Sequence, residues 1–195
     1  MVESMDVDKA RTMASGLLAV ELPGRWRHVQ GVAAKAEVVA ATLGLPRDLL
    51  VSAAWLHDVG YAAPAARTGF HALDGARYLR EKRVEEAVVH LVARHSCACV
   101  EAEERGLRES LTEEFPSAEG PVADALWFCD MTTGPNGEPL DLTGRLTEIR
   151  KRYGPEHLIS RYLERAEPEL QAVVSRVEKK LADPPQAASS RRRSA

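Results

Sequence analysis

Residues 55–61 read WLHDVGY, and the pair His57-Asp58 inside them decides how the rest of the chain is to be arranged. Just before the pair, Leu49, Leu50, Ala53, Ala54 and Leu56 recur at three- and four-residue steps. That spacing predicts an apolar helix, opened near Pro46, a residue suited to a first turn, and closed near Gly60. An imidazole and a carboxylate at the end of an apolar helix are costly unless something partners both. A divalent cation would do so; the competing reading is a buried, hydrogen-bonded His-Asp pair.

Upstream, Val29, Val32, Ala33, Ala36 and Ala40 repeat on one face and Gly44 fits a C-terminal cap, so a helix is expected over residues 25–43, with His28 near its start. Leu17, Leu18 and Val20 belong to an earlier helical stretch broken at Pro23-Gly24. Downstream, Pro64 and Gly69 mark a loop over 61–69, followed by helices over 72–82 and 84–95 that leave His71 and His95 at helix boundaries. The charge-rich stretch 101–119 is expected at the surface. Pro121 can open a helix carrying Val122, Ala125, Leu126 and Phe128 into Cys129-Asp130, after which Gly134, Pro135, Gly137 and Pro139 force a loop. Two further helices are expected over 142–153 and 155–181.

This order of elements predicts an all-α, single-domain helical bundle. Residues 1–24 form an N-terminal helical segment packing on the core and 25–135 the core that carries the candidate ligands. Residues 136–182 add C-terminal helices of the same domain. Residues 183–195, with Pro, Ser, Ala and Arg191, Arg192 and Arg193, form a disordered tail. The chain of 195 residues is long enough for one full core but gives two cores little material. Aromatic residues make up only 5% and alanine is abundant, which favours helices over strands.

Composition also restricts function. A net charge of -3 creates no positive field for a polyanion, so no nucleic acid polymer is expected as partner. No run approaches the roughly 20 apolar residues that span a bilayer, and the first nine residues are acidic rather than a basic leader; no membrane association and a cytoplasmic location are expected. Cys97, Cys99 and Cys129 make neither a disulfide framework nor a zinc ligand set and read as ordinary buried or half-buried residues. An alanine-rich helical domain could form a homodimer through almost any helix face.

Hydrolytic metal ions are held by mixed nitrogen and oxygen donors, and a carboxylate can bridge two ions with one oxygen each. Asp58 is the candidate bridge. Asp130, late in its helix, would meet the negative end of the helix dipole, a mild cost that a nearby cation removes.

The succession of His28, His57-Asp58 within WLHDVGY, and Asp130 on successive apolar helices resembles the H…HD…D signature of the HD superfamily, which consists largely of metal-dependent phosphohydrolases. The resemblance spans roughly residues 25–135. Its binuclear members add two histidines in the interval occupied here by His71 in GFHALDGARYL and His95 in VARHS. The resemblance implies an HD-type bundle with His28, His57, Asp58 and Asp130 on one metal and Asp58, His71 and His95 on a second. His90 and His157 have no counterpart. Two departures stand out: His95 is followed by Ser96 rather than the usual Glu, and Tyr61 replaces a frequent Lys.

Further expectations follow from the resemblance. The cofactor is one or two divalent transition metal ions, iron or manganese ahead of magnesium, cobalt, nickel or zinc. The partner is a small phosphorylated substrate, a nucleotide or another metabolite, attacked by a metal-activated hydroxide with Asp58 as the catalytic carboxylate. Arg94, beside His95, is the candidate substrate-binding cation; Arg25, Arg27, Lys35 and Arg145 are also available, none of them specifically. The loop 132–142 either closes over the site or merely connects. The alternatives are an HD-fold di-iron oxygenase and a non-enzymatic nucleotide-sensing domain.

Overall fold

The apolar helix ending at His57 is the axis of the molecule. In the computed structural model, which describes residues 6–184, this helix is α3 (Arg47–Leu56). Leu50, Val51, Ser52, Ala53, Ala54 and Leu56 are all buried, so α3 is enclosed on nearly every side, as an all-round apolar helix requires. Its neighbours are α1 (Val7–Leu18), α2 (Pro23–Leu43), α5 (Glu86–Arg94) and α8 (Pro121–Met131). Small residues make the closest of these packings possible: Ala33, Ala36 and Ala40 of α2 lie in the same core as Ala53 and Ala54 of α3.

After α3 the chain makes a single 3-10 turn, Val59–Tyr61, and continues through α4 (His71–Glu81), α5, α6 (Ala98–Glu104), α7 (Arg108–Glu114), α8, α9 (Leu142–Tyr153) and α10 (Leu158–Ala182). The described residues contain ten α-helices and no strand, an all-α single-domain bundle. None of these helices is long and apolar enough to cross a membrane.

Two clusters build the interior. The larger gathers α1 to α8 and includes Phe70 and Phe115. The smaller joins Met131, Leu146, Ile149, Tyr162, Leu163 and Leu170 beneath α9 and α10, and Phe128 packs against both.

Most expected helices stand within one to three residues of the limits read from periodicity. The stretch 101–119 is a correction. It folds into α6 and α7, and it is not all surface: Leu111 and Phe115 are fully buried and Glu101 is only 3% exposed, because these residues close the side of the core beside α4 and α5. The last helix starts at Leu158 and runs through Pro168 without interruption. Of the expected tail, residues 185–195 lie outside the described residues, including the three arginines.

Candidate metal centre

Every candidate ligand sits near a helix end. His28 lies in the second turn of α2, His57 is the C-cap of α3, and Asp58 leads into the 3-10 turn. His71 is the first residue of α4, His95 the C-cap of α5, and Asp130 the penultimate residue of α8. Packing of α2, α3, α5 and α8 around one another brings those ends to one place.

The six side chains fall into two groups whose donor atoms lie within 4.8 Å of one another: His28, His57 and Asp130, and Asp58, His71 and His95. Asp58 joins them. Its Oδ2 lies 3.3 Å from His57 Nε2 and 3.8 Å from His28 Nε2, while Oδ1 lies 3.6 Å from His71 Nε2. His28 Nε2 is 3.1 Å from Asp130 Oδ1, and the Nε2 atoms of His71 and His95 are 3.1 Å apart.

The backbone fixes which nitrogens are free. His28 Nδ1 donates to the Gly134 carbonyl at 3.0 Å, His57 Nδ1 to that of Ala54 at 2.8 Å, and His95 Nδ1 to that of Val92 at 2.6 Å. A carbonyl can only accept, so each Nδ1 carries the hydrogen and each neutral ring presents a bare lone pair at Nε2. In His28 that lone pair faces a carboxylate oxygen, and His57 Nε2, buried with no hydrogen-bond partner, turns its lone pair to a metal once the proton that Asp58 favours there has left. Lone pairs and carboxylates turned toward one another repel unless a cation lies between them. The donor set therefore fits divalent metal.

The electrostatics agree. Burial drives His28, His95 and, most strongly, His71 below the ordinary histidine value, which keeps them neutral as ligands must be. Burial acts on His57 in the same direction, but the Asp58 carboxylate, helped by Asp130, outweighs it and raises His57 to about 9. Burial would raise both carboxyls. Arg25 and His57 nevertheless hold Asp58 well below the carboxylate range, and His28 and His57 do the same for Asp130.

A surrounding shell orients the ligands. Arg25 Nη1 donates to Asp58 Oδ2 at 2.9 Å, and its guanidinium lies over the Tyr61 ring, 4.1 Å from the centroid; that ring stacks on His71 at 4.3 Å. Thus Tyr61 braces a candidate ligand. Ser96 Oγ donates to Asp130 Oδ2 at 2.5 Å, while Tyr162 of α10 donates to the Ser96 carbonyl at 3.0 Å. Ser96 and Cys97 both have positive φ, 48° and 59°, a conformation that costs on the order of 1 kcal/mol each and that these bonds help to hold. The loop 132–142 is a buttress: Gly134 fixes His28, and Gly137 lies against the Arg27 carbonyl and Gly31, where a Cβ on Gly31 would come within 2.5 Å of Gly137. Lys35 is turned into this buttress, donating to the carbonyl and hydroxyl of Thr132.

One face of the centre opens into a cleft with about 60 Å³ of water-accessible volume. Asp58, His71, His95 and Asp130 line it together with Arg25, Arg145 and Arg152. Arg145 is 4% exposed, lies 3.9 Å from Asp130, and leaves its Nε without a hydrogen-bond partner. Arg94 lies elsewhere. It donates to the Phe115 carbonyl and to Cys99 Sγ, and lines a separate cavity with Cys97, Cys99 and Trp127. The three cysteines are free thiols, Cys97 and Cys129 buried and Cys99 half-buried. His90 pairs with Glu86, and His157 caps α10.

Sequence reasoning assigned no role to Ser96, Tyr162 or Asp74, the last of which accepts from the backbone of Arg67, Thr68 and Gly69 and so fixes the turn before His71. Arg25 was legible, being three residues before His28 and hence on the same helix face. Tyr162 carries no local signal, since its role arises across 66 residues of chain.

Comparison with known proteins adds three findings. The HD domain family model matches residues 25–147, more than half of the chain. The tRNA (cytidine(56)-2'-O)-methyltransferase of Picrophilus torridus is 33% identical over 78 residues, which are 40% of this chain and 22% of that protein. No solved structure matches.

Proposed function

Because the chain belongs to the HD domain family, a superfamily of metal-dependent hydrolases, we propose that it is a phosphohydrolase acting on a small phosphorylated metabolite. The observation that carries this reading is the placement of Asp58, one oxygen toward each histidine group, in a cleft that three arginines also line.

His28, His57 and Asp130 would hold one divalent ion and His71 and His95 a second, with Asp58 between them. Such ions supply Lewis-acid polarisation of a phosphoryl oxygen and make bound water more acidic. The chain's own groups do the positioning. Arg25 fixes the Asp58 carboxylate in place, and Arg25, Arg145 and Arg152 line the cleft as cations for a phosphate. Charge neutralised in this way within a buried site is worth more than in water, because little solvent reorganises around it.

The similarity to a tRNA methyltransferase covers only 22% of that protein, and a chain of net charge -3 gives RNA little attraction. That similarity gives no ground for methyl transfer by this chain. The same His and Asp donors also suit iron, so oxygen uptake on addition of substrate is the outcome that would replace hydrolysis.

The test combines elemental analysis of protein purified without chelator with phosphate release from a broad panel. Two ions per chain are expected in the wild type, about one in His71→Ala and none in Asp58→Ala, with phosphate release falling more than about 100-fold in Asp58→Ala. Phosphate release that survives complete metal removal would end this reading.

A further inference from the structure

We propose that the substrate carries a second phosphate group, held beside the metal-facing cleft in a cavity lined by Arg27, Arg145 and Arg152. The inference deepens the phosphohydrolase reading and rests on it for the phosphate at the metals.

The cleft at the candidate ligands is small: its 60 Å³ correspond to roughly four to six water positions, enough for the group under attack and little else. A cavity with about 360 Å³ of water-accessible volume lies beside it. Arg25, Arg145 and Arg152 line both, and the larger cavity adds Arg27 and His28. Since His28 is itself a candidate ligand, this second cavity borders the metal centre. The rest of a substrate whose phosphate sits at the metals has room there.

The charge of the lining says what that part of the substrate carries. Arg25 is paired with Asp58 at 2.9 Å. Arg145 and Arg152 share a single carboxylate, Glu148, whose oxygens accept from Arg145 Nη1 at 2.8 Å and from Arg152 Nε at 2.9 Å. Asp130, 3.9 Å from Arg145, belongs to the metal group with His28 and His57. Arg27 donates to the neutral Asn136 side chain at 3.2 Å and makes no ion pair among the described residues. Three guanidiniums against one carboxylate leave two positive charges around the cavity, in a chain whose net charge is -3. Arg27 and Arg152 are exposed and water solvates them, but Arg145 is only 4% exposed. Cations gathered in a cleft repel one another and focus their field on whatever enters, an arrangement that an anion relieves. The α2 helix begins at this cavity without a side-chain cap, so the positive end of its dipole adds to that field. A phosphate dianion matches the two charges, and the guanidinium fork meets two of its oxygens at once, whereas a carboxylate leaves one charge over. One phosphate at the metals and another here describe a bisphosphate or a diphosphate ester.

The experiment uses metal-loaded full-length protein at low ionic strength, where exposed arginines are least screened, and reads binding rather than turnover. Calorimetry under excess metal compares a series of short alkane diphosphonates, one phosphonate at each end, with monophosphonates of the same chain length. The best diphosphonate should bind about 30-fold tighter than its monophosphonate, one per chain. In Arg27→Gln that ratio should fall about tenfold. Asn136→Ala breaks the same hydrogen bond but keeps the guanidinium, and should preserve the ratio. No advantage for any diphosphonate overturns the proposal, even where a second monophosphonate binds per chain as a free anion. Equal losses in Arg27→Gln and Asn136→Ala overturn it as well, because the loop and not the charge would then carry the effect. In a parallel hydrolysis panel, phosphate released from monophosphates with no diphosphonate advantage overturns the second phosphate and keeps the phosphohydrolase. A diphosphonate advantage with no phosphate released from any ester supports the arginine cavity and overturns the phosphohydrolase.

Discussion

His57 shows most directly how single residues set the behaviour of the centre. Its Nδ1 is tied to Ala54, and its Nε2 is lifted to about 9 by Asp58 and Asp130 against the opposing pull of burial. In metal-free protein near neutral pH that nitrogen carries a proton, which must leave before it can ligate. Metal affinity should therefore climb about tenfold per pH unit between 7 and 8 and level off above about 9. A competition titration with a chromophoric chelator measures this, and a flat profile would mean that Nε2 holds no proton to displace. The same group sets a stability trend. Its folded value lies above the unfolded 6.5, so the stability it contributes to metal-free protein is complete below 6.5 and is lost as pH rises through about 9.

At the level of elements, the 3-10 turn and α4 act as one unit that presents His71. Gly60 lies so close to the start of α4 that a Cβ there would come within 1.9 Å of the His71 carbonyl and 2.6 Å of the Gly75 nitrogen. Gly60→Ala must push α4 away. The expected outcome is about 1–3 kcal/mol of destabilisation together with selective loss of metal from the group containing His71, measured by denaturant unfolding and elemental analysis. Unchanged metal content would show that α4 can shift without moving the imidazole. This contact explains why glycine follows Val59 in WLHDVGY, a point that periodicity cannot reach because the clash is with a helix 11 residues away.

Across the whole molecule, the centre ties together α2, α3, α4, α5 and α8, the helices that also build the larger core. Metal bound there is bound only by folded protein, and at a free concentration about 100 times Kd it adds roughly 2.7 kcal/mol. For a chain of this size that is about 5–10 °C in Tm, so chelation should lower the melting temperature by that amount, as read by calorimetry. No change on chelation would mean that the histidine and carboxylate cluster is stable without a cation.

The sequence by itself determined the helical class and the approximate limits of most helices, which rest on local regularities: three- and four-residue periodicity, and proline and glycine at boundaries. The ligand-type side chains at the ends of apolar helices were visible in the same way, but that His28, His57, Asp58, His71, His95 and Asp130 form one set came from the resemblance of their order to the HD superfamily. Only the tertiary structure decided which way the other charged residues point. Arg94, adjacent in sequence to His95, faces a different cavity, because consecutive residues at a helix end diverge in direction. Arg145, 117 residues after His28 in the chain (145 minus 28), reaches the metal-facing cleft through the packing of α9. The burial of Glu101 and the bond from Tyr162 to Ser96 likewise depend on how distant helices pack, which no local pattern encodes.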